Sequence, residues 1–167
     1  DEEAQVWLVT TSASFAKEVV DLVERQLKGL QREKIARKSV GRYSVVFVVT
    51  TMDEAIDVAN EIAAEHLTLS VDEPFDYLER IRHAGALFLG RYTPPSVAVY
   101  IAGPNHVLPT GATARFFSAL SIHDYTKISN IVHYTKEELS KVKDHLIRLA
   151  QIEGFEAHAK SAQSRFS

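Results

Sequence analysis

The sequence predicts an α/β protein with a mostly parallel sheet, flanking helices and a helical carboxyl-terminal tail. Two patterns carry this reading. From residue 5 to residue 90, short apolar runs rich in β-branched residues alternate with amphipathic helical stretches, the pattern of right-handed βαβ crossovers. In addition, "YSVVFVVT" (Tyr43–Thr50) is apolar at consecutive positions, as a central parallel strand covered on both faces would be.

The elements follow in order. "QVWLVTT" (Gln5–Thr11) is the first strand. "SFAKEVVDLVERQLKGL" places Phe15, Val19, Val23 and Leu27 on one helical face, and Gly29 can close that helix. Tyr43–Thr50 is the second strand. Thr51 and Glu54 have capping-box spacing and open a helix that turns Met52, Ile56, Ala59 and Ala63 inward. "HLTLSV" (His66–Val71) is the third strand. Asp72 and Pro74 start a helix through Leu78 and Ile81, with Gly85 as its stop. "ALFLG" (Ala86–Gly90) is the fourth strand.

The alternation breaks at "RYTPPS", and a loop-rich region follows. Thr135 and Glu138 form a second capping box, heading a long helix with Leu139, Val142, Leu146 and Leu149 inward and Gly154 at its end. The tail "FEAHAKSAQSRFS" carries too few apolar residues to fold alone and is expected to pack on another surface, such as a partner chain. The expected organisation is one α/β domain over residues 1–125 and a helical tail over 126–167. The chain opens Asp1-Glu2-Glu3 and soon enters a strand, which reads as a piece of something longer, cut at a loop.

Composition narrows the function classes. The 167 residues are 46% apolar and 25% charged, with a net charge of −3 and no long run of one sign. This is a globular balance without the basic stripe of a nucleic-acid binder. No apolar run approaches the ~20 residues of a membrane helix. Cysteine is absent, which removes disulfide and thiolate chemistry and fits a reducing compartment; the expected localisation is cytoplasmic.

Two stretches could carry chemistry, and in open parallel sheets sites lie beyond the strand carboxyl ends. In "AAEHLTL", Glu65 and His66 sit between a helix end and a strand start. A histidine there can serve as general base with the carboxylate beside it; it can equally be a helix-terminal His⁺ meeting the helix dipole. "AGPNHVLPTGATARFFS" (Ala102–Ser118) holds two of the seven glycines and two of the five prolines around one histidine. Such a loop either aims Asn105 and His106 at a ligand or is a structural turn whose histidine bonds a backbone carbonyl. His83 and His145 read as solvated, and His123 and His133 as packing residues. His158 lies in the tail, five residues after Glu153. Neither HExxH nor a Gly-rich nucleotide fingerprint occurs.

"EHLTL", "AGALFLGRYTP", "YIAGPNHVLPTGATARF" and "EGFEAHAKSAQSRF", in this order and spacing, resemble the carboxyl-terminal part of histidinol dehydrogenases, and the resemblance spans essentially the whole chain. It implies an incomplete Rossmann-like sheet in a zinc-dependent homodimeric enzyme that oxidises L-histidinol to L-histidine through histidinal and reduces two NAD. By resemblance, His66 is the general base and Glu65 helps activate water. His106 contacts substrate with Tyr100 nearby, Glu153 binds substrate and His158 ligates zinc. Glu153 and His158 would act in the partner subunit's site, through an exchanged tail. The family's Gly-Asp-Tyr segment, whose aspartate ligates zinc, reads Ala98-Val99-Tyr100 here, so that ligand is lost. The other zinc ligands and most cofactor-binding residues are expected upstream, and none of the cofactor-binding residues in this chain. The isolated chain is expected to be inactive. The alternatives are a divergent non-catalytic paralogue serving assembly or binding, and a dehydrogenase of another small alcohol.

Overall fold

The computed structural model describes residues 1–166. The chain forms two compact units, Asp1–Tyr125 and Thr126–Ser167.

The first unit carries the four strands found among the described residues: β1 (Trp7–Thr10), β2 (Val45–Val48), β3 (His66–Leu69) and β4 (Ala86–Leu89). They form two separate parallel pairs rather than the single sheet expected. β1 pairs with β2, Trp7 opposite Val45, and β3 pairs with β4, His66 opposite Ala86. Four-residue strands make short ladders, and a pair of strands is a marginal sheet. The expectation that β2 is covered on both faces fails: Val45, Val46 and Val48 are all exposed. β2 has one neighbour among the described residues, so its apolar run lacks the second strand that a central position requires.

Helix α1 (Ala13–Leu27) starts at Ser12, whose hydroxyl accepts from the Phe15 amide, satisfying one of the helix's free donors. Leu27 is buried and Val19 and Val23 are half-buried, but Phe15 is exposed; Ala16, one residue along, is buried in its place. Helix α2 (Glu33–Tyr43) was not anticipated. Its apolar positions are few, and its helical form rests on local pairs: Arg37 Nε donates to Glu33 at 2.8 Å, one helical turn away, and to Glu24 of α1 through another nitrogen at 2.8 Å.

Helix α3 (Met52–Ile62) buries Ile56, Ala59 and, at its carboxyl cap, Ala63, with Met52 half-buried. Its cap is a variant of the expected box. Thr51 Oγ1 accepts from the Glu54 amide, while the Glu54 carboxylate bonds the amide and hydroxyl of Thr50, one residue earlier than the box predicts. The backbone bond from Thr50, then its hydroxyl, holds the Glu54 carboxyl below its ordinary range. Residues Pro74–Arg80 form a 3₁₀ helix, not the α-helix to Ile81 that was expected. Buried Asn60 of α3 fixes where it ends, donating to the Arg80 carbonyl at 3.0 Å and accepting from the Arg82 amide at 2.8 Å. This pulls the chain out of helix well before Gly85, which has a different role described below. After β4, a one-turn helix α4 (Pro95–Val97) runs into a π turn, Ala98–Ala102, closed by Gly103.

The second unit is a helical hairpin, α5 (Lys136–Ile152) and α6 (Glu156–Gln163). The full capping box is present: Thr135 Oγ1 accepts from the Glu138 amide, and the Glu138 carboxylate accepts from the Thr135 amide. The corner is a Schellman turn. Gly154 takes φ +77°, the Phe155 amide reaches the Ala150 carbonyl at 2.8 Å, and the Gly154 amide reaches Gln151 at 3.1 Å. Small residues let the helices approach, so Ala150, Ala159 and Ala162 are buried. The Lys143 ammonium lies 4.8 Å from the Phe166 ring centre. The tail therefore packs on α5 of its own chain. The inward stripe expected of α5 is not covered: Leu139 is half-buried, Val142 and Leu146 are just over a third exposed, and Leu149 is 62% exposed. One eight-residue helix faced with alanines is too narrow to cover four large side chains.

Candidate active site

Helix α3 ends at Ala63 in a left-handed conformation, φ +49°, fully buried. The reversal delivers Glu65 and His66 to the start of β3. Glu65 Oε1 lies 3.6 Å from His66 Nδ1, and both side chains are more than one third exposed. This is an ion-pair distance, slightly long for a hydrogen bond. It aims Nδ1 at the carboxylate and leaves Nε2 as the nitrogen able to take a proton from elsewhere. The other side of the imidazole rests on Phe88 of β4.

Gly85 locks this junction to its neighbours. Its amide donates to the Ala64 carbonyl at 2.9 Å, and the next amide, Ala86, donates to Glu65 at 2.8 Å. A Cβ on Gly85 would fall 2.6 Å from the Glu65 carbonyl oxygen and 3.2 Å from Pro109 Cδ, so only glycine permits this approach. Buried Pro109 thus seats the Ala102–Ser118 loop against the backbone that carries Glu65. Arg115 ties the same loop to α3 through the carbonyl and carboxylate of Glu61. Sequence reasoning read Gly85 as a helix stop; its role depends on a tertiary approach that no local pattern signals.

Within the loop, Asn105 Oδ1 accepts from the Val107 amide at 2.7 Å, an Asx turn. His106 Nε2 lies 3.3 Å from the Ala98 carbonyl. A carbonyl can only accept, so this contact takes the Nε2–H form of the ring and leaves Nδ1 open. The contact is the one the turn reading describes; one nitrogen is used structurally, and the exposed ring keeps the other. The bond also draws His106 to the π turn bearing Val99 and Tyr100, of which Tyr100 is 80% exposed. Single π turns are frequent at functional sites.

Glu153 and His158 lie in the second unit and line one open groove between α5 and α6, together with His145, Ser161 and Arg165. The His158 ring meets Phe155 edge-on at 5.5 Å. His123 and His133, read as packing residues, are exposed: His123 lies in a single 3₁₀ turn, Ile122–Tyr125, and His133 in irregular chain. Among the described residues no group of three or more histidine, aspartate or glutamate side chains converges to hold a metal. Val99 offers only carbon. The residues present do not, by themselves, fit a zinc ion, which needs about four donors.

The comparisons with known proteins bear on the whole arrangement. The family model for histidinol dehydrogenase matches residues 1–166. The chain belongs to the histidinol dehydrogenase family. It is 50% identical over 166 residues to the histidinol dehydrogenase of Bacillus thuringiensis subsp. konkukian, covering 99% of this chain and 39% of that protein. It is also 50% identical over 165 residues to that of Geobacter metallireducens, covering 38% of the relative. The crystal structure of histidinol dehydrogenase from Elizabethkingia anophelis matches with a TM-score of 0.91 at 30% identity, over 99% of this chain and 38% of that one. The chain therefore spans about two fifths of the length of its histidinol dehydrogenase relatives. No helix among the described residues is long and apolar enough to cross a membrane.

Proposed function

We propose that the chain is a carboxyl-terminal portion of a cytoplasmic, NAD- and zinc-dependent L-histidinol dehydrogenase of histidine biosynthesis, working as a homodimer with exchanged tails. The observation that carries this is the Glu65–His66 pair at 3.6 Å, open to solvent and buttressed by the Gly85–Pro109 contact, in a chain matched by the family along its length.

The chemistry follows from the two side chains. Oxidising a primary alcohol removes a hydride from carbon and a proton from oxygen. His66 Nε2 takes that hydroxyl proton, and Glu65 beside Nδ1 stabilises the imidazolium formed. NAD, when bound, accepts the hydride. Once His66 has released that proton to solvent, it can take one from the water that adds to the resulting aldehyde, with Glu65 as the polar anchor. Loss of a second hydride, to a second such acceptor, gives the carboxylate, and the remaining proton leaves to solvent. His106 and Tyr100 would contact the substrate, and Glu153 would bind it from the tail. His158 would be a zinc ligand contributed to a site whose other donors lie outside this chain.

His66→Asn in the longer parent polypeptide should lower kcat for histidinol-dependent NADH formation by about 10²–10⁴, with little change in KM. Retention of more than a tenth of the activity would remove His66 as the base. The isolated 167-residue chain should form no NADH, since its residues do not by themselves fit a zinc ion and include no Gly-rich nucleotide fingerprint; measurable turnover would defeat that part of the proposal. Val99 favours a second reading, a divergent paralogue kept for assembly. A parent that folds and dimerises but turns over neither histidinol nor another small alcohol would establish it.

A further inference from the structure

We infer that Phe88 is a positioning residue for His66, an assignment that rests on the reading of His66 as the base. In the β3–β4 ladder, His66 stands opposite Ala86 and Thr68 opposite Phe88. Paired residues of a parallel ladder share a face and alternate residues do too, so His66 and Phe88 are diagonal neighbours on one face. Directly opposite His66 is only a methyl group. The Phe88 ring occupies the room this leaves, its centre 5.7 Å from that of the imidazole and its plane tilted 29° from it.

Burial sets the direction of the support. Phe88 is 4% exposed, whereas His66 is solvent-exposed. A phenyl ring enclosed by packing has few rotamers open to it, so it acts as a fixed floor and the imidazole is the mobile partner. The floor covers one face of the imidazole. With Glu65 at Nδ1, the ring is held by a stacking contact and an edge contact, and Nε2 projects in one direction. A base displaced by an ångström loses much of its effectiveness, so this floor matters to rate more than to substrate affinity. Two small residues, Ala86 across the ladder from His66 and Gly85 before it, make the arrangement sterically possible.

The test uses Phe88→Leu and Phe88→Tyr. Leucine keeps apolar packing without a flat ring, and tyrosine keeps the ring face. In the parent polypeptide, Phe88→Leu should lower kcat by roughly tenfold with KM within about twofold. Phe88→Tyr should recover most of the loss. Phe88→Leu should add no further loss to His66→Asn. Rates are referred to folded enzyme, quantified by circular dichroism. In the 167-residue chain, NMR supplies a readout without turnover: the His66 ring protons are shielded by the Phe88 ring current, should move downfield in Phe88→Leu and return in Phe88→Tyr. Unchanged kcat in Phe88→Leu, with activity still dependent on His66, overturns the positioning role alone. Activity that persists in His66→Asn overturns the reading of His66 as base and the positioning role with it. Unmoved His66 resonances in Phe88→Leu overturn the stacking on which both arms depend.

Discussion

Val99 sits in the π turn whose Ala98 carbonyl engages His106, and the residue is 38% exposed. A carboxylate there would reach solvent or a bound cation without a burial penalty. Val99→Asp in the parent should therefore raise zinc affinity at least about tenfold, one added donor being worth that much or more in a four-donor site; chelator competition measures it, and unchanged affinity would show that position 99 does not face the metal. At this scale, the sequence made some contacts legible and hid others. Glu65 and His66 are adjacent in sequence, so a junction between helix and strand was enough to suggest that they meet. The bond from His106 to Ala98 spans eight residues of irregular chain, where no periodicity operates. The Asn60 clamp on Arg80 and Arg82 was invisible for the same reason: a lone asparagine in an amphipathic helix carries no sign of its distant partners.

Two glycines separate packing from propensity at the level of elements. Gly85 has the Glu65 carbonyl where a Cβ would go, whereas Gly41, near the end of α2, has nothing within 4 Å. Gly85→Ala should cost about 1–3 kcal/mol as the β3–β4 junction is forced apart. Gly41→Ala should gain about 0.5–1 kcal/mol through helix propensity. Thermal melts of both variants check the opposed signs. The capping box of α5 predicts a pH effect. Bonds from the Thr135 amide and then its hydroxyl hold the Glu138 carboxyl below its ordinary range. A lowered carboxyl stabilises the fold above its unfolded value, and that contribution is lost as pH falls through the folded value. Helicity of α5 should hold at neutral pH and fall below about pH 4. Thr135→Ala should cost about 1 kcal/mol and flatten this dependence, as seen by circular dichroism. Caps and turn glycines were legible because they are local: Thr135 and Gly154 do what their positions predict. The α2 helix was not, since its apolar residues are few and charged pairs sustain it.

For the molecule as a whole, large apolar side chains remain uncovered in both units. Phe116, Phe117 and Tyr125 are exposed in the first, and Ile128, Ile131, Val132, Leu149 and Ile152 in the second. Surfaces of this kind mark interaction sites. The isolated chain should self-associate, with a light-scattering mass above that of one chain. Replacing Ile131 and Val132 by aspartate should lower that mass; a monodisperse monomer at high concentration would refute the expectation. The α/β class and the parallel sense of the strands were legible in the alternation of elements. The division into two short pairs was not, because apolarity shows that a strand seeks cover without showing whether a neighbour is at hand. The amide of Ala86 has a further use. Its hydrogen bond to the Glu65 carbonyl belongs both to the β3–β4 ladder and to the site. The site therefore has no existence apart from the ladder, and every opening that releases this amide disperses the dyad. Hydrogen exchange at this one position would count those openings directly, reporting how often the molecule loses the Glu65–His66 geometry even when nothing is bound.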